Sequence, residues 1–111
     1  MSSSVSLPIE IQASLDALKQ RLLAELPAQQ QQIEGEFAAW QAQNPLPAAP
    51  PALVRAVHSL SGRAGMYGMD ELFRLSQALE NALLLDNHAS TRSAFSAWQT
   101  YLCHHLNTLK P

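Results

Sequence analysis

Apolar residues recur at steps of three and four along nearly the whole chain, and no stretch sustains the alternation of a strand. This spacing puts the apolar side chains of each segment on one helical face, so the expected fold is all-α. Ile11, Leu15, Leu18, Leu22 and Leu26 form the first stripe, in a helix that starts near Pro8, a residue suited to a first turn. Pro27 marks a break or the first turn of a second helix, expected over residues 28–43, with Ile33, Phe37 and Trp40 on its apolar face. The run "AQQQQ" from Ala28 reads as a solvated face of that helix. "NPLPAAPP" then places four prolines in eight residues and must be a connecting loop.

A third helix is expected from Pro50 or Pro51 to Gly65 or Met66, and Gly68 serves as a turn or cap. Asp70 and Glu71 open a fourth helix, where the helix dipole favours acids. It runs to about Leu85 with Leu72, Leu75 or Ser76, Leu79 and Leu83 inward. "DNHAST" offers several N-caps before a fifth helix carrying Phe95, Trp98, Leu102, His105 or Leu106, and Leu109. The expected architecture is an antiparallel four-helix bundle with an additional N-terminal helix. Residues 1–7 read as a flexible tail and residues 8–111 as one domain.

Composition narrows the function. The net charge of −2 and the lack of a Lys/Arg block argue against nucleic acid or an anionic membrane as the main partner. One cysteine among 111 residues forbids an internal disulfide and points to a reducing compartment. Neither a signal-peptide pattern nor an apolar run long enough for a membrane span is present, so a cytoplasmic location is expected. The low charge and single domain suggest a monomer.

One stretch departs from plain helix building. "VHSLSGRAGMYG" sets His58 beside Gly62, Gly65 and Gly68, although each helical glycine costs about 1 kcal/mol relative to alanine. On a wheel of roughly 100° per residue, Leu53, Ala56, Val57, Leu60 and Ala64 form the core arc and His58 lies opposite. Pro51, Gly62 and Gly65 fall within roughly 40° of it, and Val54, Arg55 and Ser61 within roughly 60°. The expectation is an exposed imidazole ringed by small residues, open to a large partner. An idle surface histidine is the plainer alternative.

The residues "HSLSGRAGMYGMDELFRLSQALE" resemble the histidine-containing phosphotransfer (HPt) domain. Eight of nine pattern positions agree in type: His58, Leu60, Gly62, Gly68, Leu72, Ser76, Leu79 and Glu80 match, and Ser61 stands where the family usually has Lys. The motif covers about a fifth of the chain. The resemblance implies a phosphorelay intermediate of a two-component system. His58 would take a phosphoryl group on Nε2 from the aspartate of a receiver domain, itself charged by a hybrid sensor histidine kinase, and pass it to another receiver. Glu80 would accept a hydrogen bond from Nδ1 and orient the ring. The receiver would bring Mg²⁺, and the domain itself would hold no cofactor.

The residues agree with that outline. An ordinary imidazole titrates near about 6.5, so its unprotonated nitrogen is available at neutral pH. Phosphoryl transfer asks for alignment and charge neutralisation more than for covalent help. No phosphate loop and no kinase motif set occur, so ATP-dependent kinase activity is not expected. Ser61 brings no charge, and Arg55, one turn before His58, is the candidate to replace it; Arg63 is aimed away. Val54, Met66, Tyr67 and Met69 are candidate receiver contacts, unless the last three only pack under the turn. His88, His104 and His105 lack the spacing of a metal site. Cys103 reads as a buried or half-buried small residue, and Trp40 and Trp98 as core. A receiver-binding adaptor that docks without transfer, and a helical protein of unrelated use, remain the alternatives.

Overall fold

The computed structural model describes residues 8–85 and 87–109, residues 106–109 by backbone only. The proposed tail at residues 1–7 and the side chains of Leu106 and Leu109 therefore lie outside the described residues. Four helices follow in order: α1 (Ile9–Gln41), α2 (Pro51–Met66), α3 (Asp70–Leu85) and α4 (His88–Leu109). No strand occurs among the described residues.

Each helix runs antiparallel to the next. Phe73 of α3 lies beside Gly65 of α2, and Glu80 beside His58. Ser76 meets Trp98, while Thr91 of α4 reaches the Ala82 carbonyl. The ring closes where α4 packs on α1: Phe95 stacks on Phe37, and Gln99 donates to Glu34. The core so enclosed holds Leu22, Leu26, Ile33, Trp40, Leu53, Val57, Leu60, Leu72, Leu79, Trp98 and Leu102.

The expected break at Pro27 does not occur, and the expected extra N-terminal helix is the first half of α1. The reason is tertiary. Leu22 and Leu26 before the proline, and Ile33, Phe37 and Trp40 after it, line one buried stripe. A break would swing one set out of the core. Burying two leucines is worth about 2 kcal/mol each, more together than the about 3 kcal/mol of an interior proline. Pro27 faces solvent, where the Leu23 carbonyl that it leaves without an amide donor can take water.

The same stripe is covered along only part of its length. The 33 residues of α1 span about 50 Å, against about 24 Å for the 16 of α2 or α3. The excess overhangs at the N-terminal end, so Ile11, Leu15 and Leu18 are exposed while Leu22 is buried. Gln30, expected on a solvated face, is buried between α1 and α4, where its amide donates to Glu34 and contacts the Cys103 sulfur. Cys103 itself is exposed on the flank of α4, contrary to expectation.

The turns obey local chemistry. Pro51 occupies the first turn of α2. Gly68 has φ 71°, a left-handed value that disfavours any side chain, and reverses the chain between α2 and α3. The Asn87 side chain accepts from the Ser90 amide and caps α4.

Candidate functional site

His58 stands at mid-length on the outer face of α2, with 74% of its side chain exposed. The exposure follows from helix pitch: Leu53, Val57, Leu60 and Ala64 are fully buried on the opposite arc. Its Nδ1 lies 2.7 Å from Oε2 of Glu80, across the groove between α2 and α3. Glu80 is only 16% exposed, so its carboxylate is held in that groove. An ionised carboxylate only accepts, so in the neutral ring the Nδ1 carries the proton and Nε2 carries the lone pair. Among the described residues nothing else bonds the ring, and Nε2 faces away from the contact.

The three glycines do different things. A Cβ on Gly62 would meet nothing within 4 Å, so no intramolecular packing requires this glycine one turn past His58. A Cβ on Gly65 would come within 2.9 Å of the Phe73 ring, so this glycine serves the α2–α3 contact rather than the opening around His58. Gly68 makes the turn.

Other expected neighbours divide similarly. Arg55 is exposed one turn before His58. Ser61 is buried, at 4% exposure, and cannot present its hydroxyl beside the outer ring nitrogen. Arg63 is drawn to α1, its Nη1 3.0 Å from Glu25. Val54, Tyr67 and Met69 are half-buried against the core, whereas Met66 is 68% exposed.

Sequence reasoning missed Leu84. It lies one turn beyond Glu80 on the same face of α3 and is 62% exposed. The available signal was its position off the Leu72–Leu75–Leu79–Leu83 stripe. His104 is exposed, His105 stacks on Tyr101, and His88 lies against Trp40; none approaches His58 in the fold's topology.

The arrangement offers an unprotonated ring nitrogen of defined tautomer on an exposed helix face. Among the described residues no helix is long and apolar enough to cross a membrane. Comparisons with curated proteins and with solved structures found no match. The family model of the Hpt domain matches residues 17–109, which include all of α2, α3 and α4 and most of α1. With the match spanning nearly the whole chain, the protein belongs to the Hpt domain family, whose members carry out histidine phosphotransfer in two-component signalling.

Proposed function

We propose that this domain is a phosphorelay intermediate in which His58 is the phosphoacceptor and Glu80 its positioning residue. The observation that carries this is the exposed imidazole whose Nδ1 is tied to Glu80 at 2.7 Å while Nε2 is left open. Hpt domains interact with receiver domains, and a side chain 74% exposed is open to a partner of that size.

The step balances without a base on this chain. The Nε2 lone pair forms the P–N bond as the P–O bond to the receiver aspartate breaks, and the aspartate leaves as a carboxylate. The Nδ1 proton stays on the ring, which gains positive character that Glu80 offsets. The reverse step passes the phosphoryl group to the aspartate of another receiver. Mg²⁺ held by the receiver neutralises phosphoryl charge there. On this side of the interface Arg55 is the cation available, since Ser61 is buried and Arg63 is engaged with Glu25. A hybrid sensor kinase is the upstream source of phosphoryl groups, the domain acts as a cytoplasmic monomer, and it makes no phosphoryl group from ATP itself.

The test is label transfer from phosphorylated receiver domains to the wild type and to His58→Gln. Label on the wild type alone, lost in acid and kept in base, is expected. Receivers that bind yet leave no label on His58 would replace this reading with a docking adaptor.

A further inference from the structure

A pocket of about 170 Å³ lies between α1 and α2, lined by Gln29, Gln32, Ile33, Ala56, Ser59 and Arg63. On α2 its residues fall roughly 100–200° around the helix from His58, so the pocket is on the α1 side and apart from the imidazole. Ile33 is buried and Ala56 half-buried, which gives the pocket an apolar part. The rest of its lining is polar.

Two polar atoms of that lining are buried and have no hydrogen-bond partner among the described residues: Oε1 of Gln29 and Nε of Arg63. Buried polar groups are nearly always paired, so two lone ones in a single pocket call for a reason. Arg63 already gives Nη1 to Glu25 at 3.0 Å, and the Glu25 carboxylate offsets its charge. What the pocket still offers is one N–H donor and one carbonyl acceptor.

That pair dictates its complement. A carboxylate would accept from Nε, but it has nothing to donate to Oε1 and adds a negative charge near Glu25. An ammonium would donate to Oε1, but it meets the guanidinium with nothing to accept its N–H. A primary carboxamide does both from one planar edge, because its C=O and one of its N–H groups point the same way, and it is neutral. The volume is about that of six waters at roughly 30 Å³ each, well below the roughly 300 Å³ at which drug-sized sites begin. An amide on a small ring or short chain fills it.

We propose that the α1–α2 pocket binds a small neutral molecule bearing a primary carboxamide, with its oxygen on Nε of Arg63, its N–H on Oε1 of Gln29, and its carbon part against Ile33 and Ala56. The ligand ties α1 to α2 and leaves His58 open, so this site acts whether or not the imidazole carries phosphate.

Benzamide is the probe, and benzoate is its charged counterpart of the same shape. Each is titrated into the ¹⁵N-labelled chain, and NMR follows the backbone amides together with the Nε–H of Arg63. Benzamide is expected to give saturating shifts at Arg63 Nε–H, Ser59 and Ala56, with a Kd on the order of 1 mM for about nine non-hydrogen atoms. Benzoate is expected to bind about tenfold more weakly or worse. Gln29→Met keeps side-chain length and helix propensity but removes the acceptor, and should weaken benzamide about tenfold. The variant's own spectrum shows that it is folded. Benzoate binding as tightly as benzamide would overturn the inference and make the pocket an anion site. Equal benzamide affinity in Gln29→Met and wild type would overturn it as well. So would unmoved signals at Arg63 Nε–H and Ser59 with benzamide at about 20 mM, since Gln29 and Arg63 would then satisfy each other.

Discussion

Glu80 holds the Nδ1 of His58 at 2.7 Å although the two residues are 22 apart in sequence and on different helices. The contact fixes the tautomer and the ring direction together. Its loss removes one hydrogen bond, about 1.4 kcal/mol, or about tenfold in rate if the bond strengthens as charge develops. Glu80→Ala is thus expected to transfer about tenfold more slowly with little change in thermal stability, and Glu80→Gln to recover part of the rate through its amide carbonyl. Equal rates for Ala, Gln and wild type would remove Glu80 from the mechanism.

Gly62 and Gly65 are expected to respond in opposite ways to one added methyl group. Gly62→Ala meets open space and gains helix propensity, so stability should rise by about 0.5–1 kcal/mol. Its methyl group stands one turn from His58, where a docking receiver must come close, so transfer from a receiver should slow. Gly65→Ala drives a Cβ to 2.9 Å from the Phe73 ring, and overpacking of about 1–3 kcal/mol outweighs the propensity gain. Urea denaturation of both variants reads the two signs directly.

The Trp98 indole donates to the Ser76 hydroxyl at 3.1 Å, and both residues are fully buried. Ser76→Ala leaves a buried N–H without an acceptor and should cost about 1–3 kcal/mol. Adding Trp98→Phe should cost less than the sum of the two single changes, because the orphaned donor is gone. Simple additivity in a double-mutant cycle would show that the bond contributes nothing.

Pro27→Ala tests the continuity of α1. It restores the amide that the Leu23 carbonyl lacks and removes a steric clash, so the urea midpoint should rise by the equivalent of about 1–3 kcal/mol. A lower midpoint would mean that the chain prefers a break at residue 27.

Helix pitch is a local property, and what depends on it could be read in the residues alone. The all-α class, the bounds of α2 and α3, the turn at Gly68 and the outward direction of His58 all follow from spacing and from the few residues that tolerate a turn. The motif placed Glu80 at the right separation, and only the pairing of α2 with α3 set its carboxylate against the ring.

Burial is not local, because an apolar stripe is covered only where another helix lies against it. Ile11, Leu15 and Leu18 repeat the pattern of Leu22 and Leu26 yet stay in water, since α1 is twice the length of α2. Pro27 reads as a helix end until the buried residues on both sides of it outweigh its cost. Ser61 and Gly65 look alike as small residues near His58, but the first is buried and the second is required by the Phe73 ring. The sequence by itself determined the helical class, the bounds of α2 and α3, and the exposed histidine. Tertiary packing decided which apolar residues form the core, which remain open to a partner, and which carboxylate holds the imidazole.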